Sequence, residues 1–279
     1  MGRTAMSRAI VLGPGGVPGT AWLLGLITGL RRAGIDPADA DTIVGTSAGA
    51  IAGALLGDSR DLGAVRMPRP RPYAEAVQDF DWAVLDQVAA IVDAGVLDRA
   101  ARSRLGRLAL DAAVPDETDR VADMYRLLGD CTWHPGLVLP LLDAESGEPV
   151  VWRAGDGVPL PLAVAAGTTM PGMSAPVTIE GHRYIDGAFR NRANADLASG
   201  ATVVVLVEPM AHIIPTDSID AEQLVRIVPD EAARQALGTS LSDHAVWPEA
   251  FLAGMRQGVA AAPEVRAAGW TRRPAGSAR

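Results

Sequence analysis

The sequence predicts a single α/β domain, a mainly parallel sheet with helices packed on its faces. Three observations predict it. The first sixty residues read as strand, glycine loop, helix, strand, sharp turn and helix, the pattern of a crossover-connected parallel sheet. Strands and helices then alternate to the end with no clear linker, so residues 1–279 form one unit. Finally, 279 residues with 48% hydrophobic and 21% charged side chains suit one large globular core.

Residues 9–12 (Ala-Ile-Val-Leu) are an unbroken apolar run that ends in glycine, as a buried parallel strand does. Residues 20–32 carry Trp22, Leu23, Leu26, Ile27 and Leu30 at helical spacing, and Gly34 is placed to end that helix. Residues 42–44 form a second short strand, and 48–56, small and apolar, a buried helix. The alternating prolines of 67–72 forbid helix or central strand there, so 58–75 reads as an exposed loop. From 73 to 128 the spacing is helical, and 58–130 reads as a cap-like helical insertion. Residues 137–142 and 150–153 form a hairpin, as do 177–179 and 183–185 around Glu180-Gly181-His182. Residues 202–207 are a strong buried strand. Beyond Pro215 the chain is expected to turn helical, with breaks at Pro229 and Gly238, and 272–279 to be a flexible tail.

All 25 basic residues are arginine, against 33 acidic ones, for a net charge of -8. That balance argues against nucleic acid as a partner, and the low aromatic content against base stacking. It also argues against strong electrostatic adhesion to anionic membranes. Cys131 is the lone cysteine, so neither an internal disulfide nor a cysteine-built metal site is available. With no signal-like or spanning apolar run, the expectation is a cytoplasmic protein.

The motif Gly45-Thr46-Ser47-Ala48-Gly49 has the form G-x-S-x-G. A serine forced into a strained strand-to-helix turn needs small residues on both sides, so Gly45 and Gly49 allow the backbone to come close. The plain alternative is a tight turn with a serine cap. The loop Gly13-Pro14-Gly15-Gly16-Val17-Pro18-Gly19 can present backbone N–H groups to an anion. A phosphate-binding Walker loop needs lysine, which this chain lacks, and a dinucleotide fingerprint needs a glycine where Pro18 stands. An oxyanion hole beside Ser47 explains both motifs with one site, while a purely structural turn stays open. His134, His182, His212 and His244 sit in no diagnostic context. Asp186-Gly187 directly follows a short strand, though such a pair is most often a turn.

The order glycine loop, then Gly45-Thr46-Ser47-Ala48-Gly49, then Asp186-Gly187-Ala188 resembles the patatin-like phospholipase family. The likeness extends through Gly147-Glu148-Pro149-Val150-Val151 and Met170-Pro171-Gly172-Met173, and weakens in 58–130 and in the C-terminal helices. It implies a three-layer α/β fold and hydrolysis of acyl esters in lipids by a Ser–Asp dyad, with no metal or organic cofactor. By position, Ser47 is then the nucleophile and Asp186 its base, and the N–H groups of Gly15, Gly16 and Val17 form the oxyanion hole. Two departures stand out. Pro14 occupies the place of the first loop glycine and Pro18 that of the usual basic residue, which weakens the expectation of anionic lipids more than that of hydrolysis. Met170, Pro171 and Met173, just ahead of the Asp186 hairpin, are expected to line the acyl pocket. The expected partner is a lipid or other ester, with weak, transient membrane contact driven by apolar groups more than by charge, on the segment 62–90 that holds Arg66, Arg69, Arg71 and Trp82. Two alternatives remain: a Ser-His-Asp esterase using His212 or His244, and a low-turnover lipid-binding member of the same fold.

Overall fold

Unbroken burial makes β1 (Arg8–Leu12) a central strand, and a computed structural model, which describes residues 6–69, 72–214 and 218–270, places it so. The chain continues into α1 (Gly16–Arg32), β2 (Thr42–Gly45) and α2 (Ala48–Leu56). The insertion then supplies α3 (Tyr73–Ala76), α4 (Trp82–Asp93), α5 (Arg99–Asp111) and α6 (Thr118–Leu128). Next come β3 (Leu137–Asp143), β4 (Pro149–Arg153), α7 (Leu160–Ala166), β5 (Val177–Ile179), β6 (His182–Asp186) and α8 (Ala188–Asn191). The last elements are β7 (Val203–Val207), β8 (Gln223–Ile227), α9 (Glu231–Leu237) and α10 (Trp247–Ala267).

These strands form one eight-stranded sheet in the order β5-β6-β3-β2-β1-β7-β8, with β4 also on β3. The run from β3 through β2, β1 and β7 to β8 is parallel, and β4, β5 and β6 are attached antiparallel. The sheet's two faces carry different cores, because strand side chains alternate. On one face Ile10, Leu12, Ile43, Val205 and Leu139 pack with α1, α2, α7, α9 and α10. On the other, Val11, Val44 and Leu206 meet the short turn Ala195–Ala198. There Leu142, Ile185 and Phe189 also meet Val84 and Val88 of α4 and Leu105 of α5. The result is three layers.

The insertion therefore does more than cap: α4 and α5 belong to the second helical layer. The described residues 58–69 hold no strand or α-helix, yet Leu62 and Val65 are buried in the core, and α3 already begins at Tyr73. Two elements differ from the sequence reading. Residues 223–227 form β8, an edge strand, where helix was expected. Only alternate side chains there are buried, Val225 and Ile227, which leaves no long apolar run to read. The helix α7 was not anticipated, because Pro159 and Pro161 make seven apolar residues look irregular, although proline is tolerated in a first helical turn. Residues 70, 71, 215–217 and 271–279, with Arg71, Pro215 and the expected tail, lie outside the described residues.

One topological detail positions the site. β2 and β6 share the same edge of β3, end to end: Val44 pairs with Val138, while Asp186 pairs antiparallel with Leu141. Their C-terminal ends thus face each other across Pro140. A Cβ on Gly187 would lie 2.1 Å from the Pro140 carbonyl oxygen, so that carbonyl, and with it the Pro140 nitrogen, faces the gap between the two strand ends. Proline is tolerated in the middle of a sheet there because no ladder partner stands opposite its missing N–H.

Candidate active site

Ser47 sits at the end of β2 with φ 55° and ψ -118°, a strained conformation for a residue with a side chain. Neighbouring bonds hold it: Thr46 N–H donates to the Leu12 carbonyl at 2.9 Å, and Gly49 N–H to the Thr46 carbonyl at 2.8 Å. Gly49 is required by contact, since a Cβ there would fall 1.8 Å from the Leu12 carbonyl oxygen. The Ser47 side chain makes no capping bond to α2, which leaves its hydroxyl free for other work.

The facing ends of β2 and β6 bring the carboxylate of Asp186 to that hydroxyl, which favours its charged form. Asp186 is 4% exposed. Burial pushes its carboxyl up from 3.8 to about 6, against the opposing pull of Ser47, the Ala188 N–H and Arg120. The Ala188 N–H donates to Asp186 Oδ1 at 2.8 Å, and the Asp186 N–H donates to the Thr169 carbonyl at 3.0 Å.

A third polar residue, which the sequence reading missed, ties the two loops together. Asn194 is fully buried and left-handed at φ 59°. Its amide donates to Thr46 Oγ1 at 3.1 Å and to the Gly187 carbonyl at 2.9 Å, one residue from Ser47 and one from Asp186. Arg190 holds the amide oxygen at 2.8 Å and is itself paired with Asp196. The only sequence signal is an asparagine eight residues after Asp186, in a stretch rich in polar residues.

The glycine loop lies beside Ser47 because β1 and β2 are adjacent and in register, Leu12 opposite Gly45. α1 begins inside the loop, at Gly16, four residues before the position expected from its apolar face. Gly16 has φ +59°, and a Cβ there would strike the Leu241 carbonyl oxygen at 2.3 Å. The N–H groups of Gly15 and Gly16 find no acceptor among the described residues, as befits a helix start. Val17 differs from expectation: its N–H donates to the Leu241 carbonyl at 2.8 Å, so it is not a free donor.

Ser47, Asp186, Gly15 and Gly16 all border one cavity of about 490 Å³. Its wall is mainly apolar and includes Ile51, Phe80, Leu97, Phe189, Ile213 and Leu241. Of the three pocket residues expected, Met170 and Met173 line it. Pro171 does not; it is buried away from the cavity, the proline turning the chain between two methionines that face it. His244 borders the cavity, and burial holds its imidazole below the usual value, but the titratable group on which Ser47 acts is Asp186. His212 lies on a separate, smaller cavity. Among the described residues no cluster of side chains fits a metal ion.

A family model described as patatin-like phospholipase matches residues 10–199, a span that takes in both the G-x-S-x-G turn and Asp186. No curated protein matches the chain.

Proposed function

The chain belongs to the patatin-like phospholipase family, a family of lipid acyl hydrolases, and on that premise we propose that it cleaves carboxylic esters of acyl lipids with Ser47 as nucleophile and Asp186 as base. The observation that carries this reading is that the strained Ser47 and the buried carboxylate of Asp186 share the wall of one apolar cavity. Asp186 takes the hydroxyl proton as Ser47 Oγ attacks the ester carbonyl. The tetrahedral oxyanion is met by the N–H groups of Gly15 and Gly16, each such donor being worth roughly 2.7–4 kcal/mol of transition-state stabilisation. Collapse of the intermediate expels the alcohol, which leaves with the proton from Asp186. Water then attacks the acyl-serine, Asp186 accepts its proton, and the carboxylic acid departs as Ser47 recovers its own. The aliphatic wall, with two adaptable methionines, suits an acyl chain.

A panel of soluble esters of graded chain length, with phospholipid, lysophospholipid and acylglycerol, tests the reading on wild type beside Ser47→Ala. Wild type is expected to hydrolyse acyl esters, and Ser47→Ala to lose that activity by several orders of magnitude while keeping its fold. Equal turnover by the two proteins would refute the assignment.

A further inference from the structure

Arg120, in the first turn of α6, borders the cavity together with Ser47 and Asp186. Its Nε donates to the Ala165 carbonyl at 3.1 Å, and its Nη2 donates to the carbonyl and the hydroxyl of Thr168. All of these acceptors are neutral. Asp123, the carboxylate one turn on, is instead taken by Arg69 and Arg126. The Arg120 charge acts on two carboxylates, Asp186 more strongly than Asp123, and Asp186 borders the same cavity.

The same turn also holds Asp186. The Thr169 carbonyl accepts the Asp186 N–H at 3.0 Å, and Thr169 Oγ1 donates to the Ala165 carbonyl at 2.9 Å. Arg120 and Asp186 therefore hang from one turn, residues 165–169, Arg120 by its guanidinium and Asp186 by its backbone N–H. We propose that Arg120 is a positioning residue for Asp186: it clamps the turn that orients the carboxylate and supplies the positive charge that keeps it ionised inside an apolar wall.

The inference rests on Asp186 acting as base. A buried carboxylate prefers to be neutral, and a neutral Asp186 cannot take the Ser47 proton. A fixed cation nearby favours the charged form, and burial leaves that attraction little screened. Burial also brings Arg120 down to about 10, still cationic at neutral pH. The other charged or titratable groups bordering the cavity are Asp93 at the end of α4, Arg192 after α8 and His244 before α10. None of them is among the groups that act on Asp186, which are Ser47, the Ala188 N–H and Arg120.

The experiment measures kcat/KM for a soluble short-chain ester from pH 5 to 9 with the full chain. Arg120→Met is expected to move the acid limb up, a severalfold loss near pH 6 that recovers at alkaline pH. Arg120→Lys keeps the limb near its wild-type position, and so does Thr168→Val, which removes part of the clamp and leaves the charge. Arg120→Gln is the second neutral variant should the Met protein fail to fold. A uniform loss across the pH range with the limb unmoved would reduce Arg120 to a structural role and overturn the proposal. The carboxyl carbon of Asp186, titrated by NMR in a Ser47→Ala background, gives a readout free of turnover. Its midpoint rises when residue 120 is neutral, and an unchanged midpoint overturns the proposal. A wild type that hydrolyses no ester defeats the functional reading alone, and the titration still decides Arg120.

Discussion

At the scale of single residues, the base role proposed for Asp186 opposes stability. Its folded-state value is raised from 3.8 to about 6, so the native protein favours the neutral acid. The sign follows: its contribution to stability is whole below the unfolded value near 3.8 and is lost as pH rises through 6. The charged form at neutral pH then costs roughly 3 kcal/mol. Asp186→Asn is expected to abolish hydrolysis and yet to raise Tm at pH 7.5, at about 2–4 °C per kcal/mol. At pH 4 the gain should vanish. A variant no more stable than wild type at pH 7.5 would mean that the carboxylate is not held at such a cost. Asn194 makes a second residue-scale prediction. Asn194→Ala strips the donors from Thr46 and Gly187 in a sealed site, so kcat should fall at least tenfold with KM little changed and Tm several degrees lower. Wild-type kcat in that variant would show that the amide does not position the pair.

Ser47, Asp186 and the glycine loop were legible at this scale because each obeys a local rule. A strained turn needs small flanking residues, and a helix start exposes N–H groups. Asn194 was not, since its bonds run to residues 148 and 7 positions away and nothing around it breaks a pattern. The donor role of Val17 misread for the same reason, because its acceptor, Leu241, comes from the far end of the chain.

Among the elements, legibility followed burial. β1, β2 and β7 are covered on both faces and read as apolar runs. β8 lies at the sheet edge with Leu224 exposed, and its alternation over five residues is too short to stand out. In the segment after α7, the turn carrying Met170 and Met173 faces the cavity while Pro171 between them packs inward. Met170→Trp is therefore expected to shift preference toward shorter acyl chains, measured as the ratio of kcat/KM for long and short esters. Pro171→Ala should lower Tm and leave that ratio alone. A lower Tm in Met170→Trp with an unchanged ratio would assign the side chain to packing.

The whole molecule explains what the matched span 10–199 does not contain. β7 pairs with β1 in the middle of the sheet, and the Val207 carbonyl accepts the Gly13 N–H at 2.9 Å. Leu241 then fixes Val17, so residues beyond the match shape the glycine loop beside Ser47. At this scale charge also decides how a lipid surface is approached. The chain carries a net charge of -8, and no helix among the described residues is long and apolar enough to cross a membrane. Of the arginines expected to touch headgroups, the two among the described residues are engaged elsewhere: Arg69 is paired with Asp119 and Asp123, and Arg66 donates to the carbonyls of Gly63 and Val65. Apolar side chains stand out nearer the cavity. Ile213, on its wall, is 55% exposed, and Val96, between two wall residues, is 63% exposed. Contact driven by such residues is reversible and insensitive to salt, unlike contact made by arginine. An Ile213→Asp and Val96→Asp double variant should therefore lose hydrolysis of vesicle-borne lipid while keeping that of a soluble short ester. Arg66→Ser with Arg69→Ser should leave both rates, and their salt dependence, near wild type. The opposite pattern, vesicle activity that falls with salt and with the arginines but survives the aspartates, would place the lipid-facing surface on the insertion and not at the cavity mouth.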